Sequence, residues 1–174
     1  MTSAVILVID DRPEIVISAQ FVLEDNGFSV LSAKSPYDAK DVLAEQKVDV
    51  ILLDMNFSLD TTSGEEGLEF LDWLNRNKVD AAVVAMTAWS NVELAVKAMQ
   101  LGAGDFIEKP WKNQRLLQVI NHQLELVGLK SLNKKLQQRL EPNANEQAFQ
   151  WRSPCMVELI EQIESVALAD VAIL

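Results

Sequence analysis

The 174-residue chain contains one cysteine, one histidine, one tyrosine, five prolines and six glycines. A lone cysteine, Cys155, rules out a disulfide framework within the chain and fits a reducing compartment, the cytoplasm. His122 is the lone imidazole, so no His/Cys metal cluster can be assembled. Cations are also scarce: 15 Lys and Arg against 26 Asp and Glu leave a net charge of −11. So acidic a chain lacks the basic face that grips nucleic-acid phosphates, and direct DNA binding by this portion is not expected. No apolar stretch reaches the roughly twenty residues that cross a bilayer, and no basic region precedes an apolar one at the N-terminus. Neither a membrane span nor a signal peptide is read.

What is present is a rhythm of short apolar runs, at residues 4–9, 28–31, 48–53, 81–86 and 105–107, with helical patterns between them. Such runs read as buried parallel strands, and strands alternating with helices give a doubly wound α/β domain. Pro13 suits a first helical position, and Gly27 closes a helix carrying Ile15, Val16, Ala19, Phe21 and Val22. Ser35-Pro36 opens a second helix, and Ser63 with Glu66 reads as a capping box for a third carrying Leu68, Phe70, Leu71 and Trp73. A fourth begins at Asn91 and ends at Gly102, and a fifth starts near Trp111. The length allows one full domain and something smaller.

Five polar residues stand where the apolar runs break off: Asp10 and Asp11 after AVILVI, Asp54 after VDVILL, Thr87 after AAVVAM and Lys109 after DFIE. Taken singly, Asp11 reads as a helix cap, Thr87 as a turn residue and Lys109 as a solvated surface charge. Taken together they lie at the carboxyl edge of the sheet, where ligands of such domains bind. Asp54 resists the simpler explanation, because an unpaired carboxylate at the mouth of a buried sheet is costly. Beside Asp10 and Asp11 it would be repelled unless a cation bridges the acids.

The motifs VIDDRPE, ILLDM, MTAWS and FIEKPW, in that order over residues 4–111, resemble the receiver domains of two-component response regulators. The resemblance implies a flavodoxin-like, five-stranded parallel sheet in the order 2-1-3-4-5. It implies that Asp54 is the phosphoacceptor, served by a sensor histidine kinase. Asp10 and Asp11 would hold Mg²⁺ together with Asp54 and the backbone carbonyl of Asn56, while Thr87 and Lys109 meet the phosphoryl oxygens. Phe106, three residues before the lysine, would be the aromatic switch. Apart from its own phosphorylation and dephosphorylation, such a module is not an enzyme.

Two departures bear on access to Asp54. The segment after it reads MNFSLDTTSGEEG, longer than the usual receiver connection, so Met55–Ser63 is either a flap, a partner-docking surface or a tolerated loop. Trp89, two residues beyond Thr87, adds bulk near the site. A haloacid-dehalogenase-type phosphatase uses similar parts. It needs a second aspartate two residues after the nucleophile, where this chain has Asn56, which does not transfer protons as a carboxylate does.

Beyond the receiver, Trp111 to Leu140 has no proline and one glycine, Gly128. A heptad places Val119, Leu126, Asn133 and Leu140 at one seam position and His122, Leu129 and Leu136 at the other. The fifth helix therefore reads as continuing into a coiled-coil linker, with a homodimer held by receiver and linker. EPNANEQAFQ breaks it, and WRSPCMVELIEQIESVALADVAIL resembles the opening of the AAA+ ATPase domain of NtrC-type activators. The expected organisation is a receiver over 1–127, a helical linker over 128–141 and the start of a truncated AAA+ domain over 142–174. The resemblance implies a full-length activator that is an ATPase and contacts DNA and the polymerase carrying the nitrogen-type sigma factor, sigma-54. A stand-alone receiver adaptor with a docking tail is the competing reading.

Overall fold

The structure is a computed structural model that describes residues 3–57, 64–88 and 92–140, with the backbone alone at 88, 92, 134 and 138–140. Ser63, Trp89, Asn91, most of the Met55–Ser63 segment and the 142–174 tail, for which the sequence raised expectations, lie outside the described residues. The chain divides into two compact units, Met1–Asn133 and Lys134–Leu174.

In the first unit, β1 (Val5–Ile9), β2 (Ser29–Ala33), β3 (Val50–Asp54), β4 (Ala82–Ala88) and β5 (Asp105–Lys109) alternate with α1 (Pro13–Asp25), α2 (Pro36–Glu45), α3 (Glu65–Arg76), α4 (Val92–Gln100) and the start of α5 (Asn113–Leu140). All strand pairs are parallel, in the order β2-β1-β3-β4-β5. The order reverses between β1 and β3, which creates the crevice at their carboxyl ends.

The period-2 alternation of the strands builds two core layers. Leu7, Ile9, Ile51, Leu53 and Ala85 point to one side and pack with Phe70, Leu71 and Leu74 of α3 and Leu94 and Ala98 of α4. Ile6, Val8, Val50, Leu52, Val84 and Met86 point to the other, against Val22 and Leu23 of α1 and Leu116, Val119 and Ile120 of α5. Both faces of the central strands are thus dry, which is why their sequences are continuously apolar.

Helix starts follow local chemistry. Pro13 is the first residue of α1, and the Ser35 side chain caps α2 by accepting the Asp38 N–H at 3.1 Å. Gly27 and Gly102 take positive φ where their helices end. The expected capping box of α3 is replaced: the helix begins at Glu65, and Gly64, at φ +67°, is its N-cap with no side-chain bond. α5 begins at Asn113, two residues later than expected.

The heptad reading needs one correction. Val119 is fully buried in the domain's own core, so it cannot face a second chain. Leu129, Leu132 and Leu136 are exposed, and the free apolar stripe of α5 starts with them. Apolar spacing alone did not separate the turns that cover the sheet from those that follow.

Candidate functional site

The carboxyl edge of the sheet gathers the polar residues. Asp10 follows β1, Asp54 ends β3, Thr87 lies in β4 and Lys109 ends β5, and all four are buried. Pairing of Ile9 with Leu53 and of Asp54 with Met86 fixes the height of each strand end, so the side chains converge. Lys109 Nζ lies 2.8 Å from Asp10 Oδ2 and 2.7 Å from Asp54 Oδ1, one ammonium bridging two carboxylates. Asp54 Oδ1 also accepts the Asn56 N–H at 3.1 Å.

The second oxygen of Asp54, Oδ2, has no hydrogen-bond partner among the described residues, and neither has the side-chain oxygen of Asn56. Burial pushes the Asp54 carboxyl above the ordinary aspartate range; the Lys109 charge and hydrogen bond oppose this, and the Asp10 charge adds to it. One oxygen from each of Asp10, Asp11 and Asp54 falls within 4.8 Å of the others. An unsatisfied buried carboxylate oxygen beside two further acids suits a hard divalent cation with oxygen ligands.

Thr87 is buried at the same edge, while the Phe106 ring on β5 is 45% exposed. One participant was missed in the sequence. Arg12, directly after the acid pair, donates its backbone N–H to Asp10 Oδ1 at 3.0 Å and brings Nε to 3.6 Å from the same oxygen. The signal was a cation adjoining two aspartates. Its return toward Asp10 depends on the backbone turn, which composition does not reveal.

A parallel sheet in this order, with three acids and a lysine at the edge beside its switch point, defines a receiver-type α/β domain. Residues 6–121 match the family model of the response regulator receiver domain, and the chain belongs to that family. It is 34% identical over 138 residues to the nitrogen assimilation regulatory protein NtrX of Azorhizobium caulinodans, covering 79% of this chain and 30% of that protein. It is 32% identical over 169 residues to the alginate biosynthesis transcriptional regulatory protein AlgB of Pseudomonas putida, covering 97% of this chain and 36% of that one. Among solved structures it resembles NtrX from Brucella abortus in complex with ADP, with a TM-score of 0.73 and 30% identity over 95% of this chain and 36% of that chain. The chain thus spans about a third of the length of these relatives. Family membership favours the receiver over the phosphatase reading. Among the described residues no helix is long and apolar enough to cross a membrane.

Proposed function

We propose that this chain is the phosphorylation-controlled input module of an NtrC-type, sigma-54-dependent transcription activator, with Asp54 as the phosphoacceptor. The observation that carries the reading is Lys109 bridging Asp10 and Asp54 while Asp54 keeps one oxygen unpartnered. One oxygen of the Asp54 carboxylate attacks the phosphorus of a phosphohistidine on a sensor histidine kinase, and the other remains for the cation. The P–N bond breaks, the imidazole takes up a proton, and an aspartyl phosphate forms.

Lys109 stays beside the transferred group and offsets its charge, and the Thr87 hydroxyl donates to a phosphoryl oxygen that exists only after transfer. Movement of Thr87 toward that oxygen draws in Phe106, whose exposed ring leaves the β5 surface. Asp10, Asp11, Asp54 and the Asn56 backbone carbonyl would hold Mg²⁺, which supplies charge neutralisation between two anionic reactants.

The domains are taken as a receiver over 1–127, a linker over 128–141 and the start of an AAA+ domain over 142–174. The similarity to AlgB over 97% of the chain supports this organisation above a stand-alone adaptor. In the intact cytoplasmic protein, phosphorylation controls homodimer pairing through receiver and linker, and so the assembly of an ATPase that contacts DNA and sigma-54 polymerase. Incubation with Mg²⁺ and acetyl phosphate, followed by intact-mass measurement, should show one added phosphoryl group. Asp54→Asn should take up none; equal labelling of both proteins would overturn the assignment.

A further inference from the structure

Of the two oxygens of Asp10, Oδ2 is occupied by the buried Lys109 ammonium, and Oδ1 faces Arg12. The Arg12 backbone N–H fixes that oxygen at 3.0 Å, and the side chain, 47% exposed, brings Nε to 3.6 Å. The backbone bond is available to any residue but proline at position 12, whereas the side-chain charge is not. Arg12 is also the N-cap of α1 without a side-chain capping bond, so replacing it leaves the helix start intact.

The charge balance gives this contact a consequence. Among the described residues, Asp10 lies between two cations, the Lys109 ammonium on Oδ2 and the Arg12 guanidinium facing Oδ1, in a cluster with Asp11 and Asp54. A divalent ion sharing Asp10 must do so beside a positive charge already directed at Oδ1. A guanidinium cannot lose its proton, so the competition does not fade with pH.

We infer that Arg12 is a resident counter-cation of the acid cluster, competing with the divalent ion at Asp10 and setting the site's metal affinity. The inference rests on the metal-site reading above. It makes Arg12 a positioning residue that touches Asp10 and takes no part in the phosphoryl transfer itself. Because the side chain is half exposed, its effect is screened and moderate.

Calorimetric titration of the full chain with Mg²⁺ alone, without phosphodonor, tests this. Arg12→Ala should bind Mg²⁺ about three- to tenfold more tightly than the parent. Arg12→Lys, which keeps the charge, should remain within about twofold of the parent, and the gap between parent and Arg12→Ala should shrink in about 1 M monovalent salt. Parent-like affinity in Arg12→Ala, or tightening in Arg12→Lys equal to that in Arg12→Ala, would overturn the inference while the metal site stands. No Mg²⁺ binding by the parent would overturn the site reading and the inference with it.

Discussion

Lys109 is 5% exposed in its side chain and carries the charge balance of two fully buried acids. Replacing it with methionine keeps the volume and removes the ammonium, leaving Asp10 and Asp54 without their shared partner; breaking buried pairs in this way costs about 3–5 kcal/mol. Lys109→Met should therefore lower the urea midpoint strongly with little change in slope, and an unaltered midpoint would contradict the pairing. Asp54 behaves oppositely. Its folded-state pKa is raised, mainly by burial, so the fold favours the protonated form. Its contribution to stability is present below the ordinary aspartate range and is lost as pH rises through the raised value. Once ionised, the carboxylate is less compatible with the fold than its protonated form, and Asp54→Asn, which leaves Lys109 its bond to Asp10, should raise the melting temperature by a few degrees at neutral pH. Thermal scans from about pH 8 down to about pH 4, close to the ordinary aspartate value, should show the gain shrinking toward acid; a loss at the neutral end would contradict this. At this scale Asp10, Asp11, Asp54, Thr87 and Lys109 were legible because each interrupts an apolar run. Arg12 was not, because a charge after two charges breaks no pattern.

The elements were legible where periodicity and punctuation agreed, as at Pro13, Gly27 and Ser35-Pro36. They were misread at the start of α3, where the backbone conformation and not a side-chain cap marks that end of the helix. α3 begins at Glu65, behind an N-cap Gly64 at φ +67°, in a conformation that no capping motif announces. Two helices carry glycines with opposite expectations. A Cβ on Gly67 in α3 would stand 2.9 Å from the Met55 backbone Cα, which cannot yield as a side-chain tip does. Overpacking of about 1–3 kcal/mol outweighs the roughly 1 kcal/mol that alanine gains in a helix, so Gly67→Ala should destabilise. Gly128 in α5 has nothing within 4 Å of such a Cβ, so Gly128→Ala should stabilise by up to about 1 kcal/mol. Denaturant melts of both variants check the pair, and shifts of the same sign would contradict the close approach of α3 to the segment after Asp54.

For the whole molecule, the sequence conveyed strand order only through family resemblance, since apolar runs alone do not say which strands are neighbours. It likewise could not separate the part of α5 that covers the sheet from the part that offers Leu129, Leu132 and Leu136 to solvent. If that stripe joins two copies, Leu129→Asp with Leu136→Asp inserts unpaired charge into the seam and should shift the protein toward monomer in sedimentation. Equal masses for parent and variant would remove the linker from the dimer. The most direct measurement concerns the acid at the centre of the site. After treatment with Mg²⁺ and acetyl phosphate, borohydride reduces an aspartyl phosphate to homoserine, and peptide mapping locates the change. Homoserine should appear at position 54; an unmodified Asp54 in phosphorylated protein, or conversion at another aspartate, would contradict the role assigned to it.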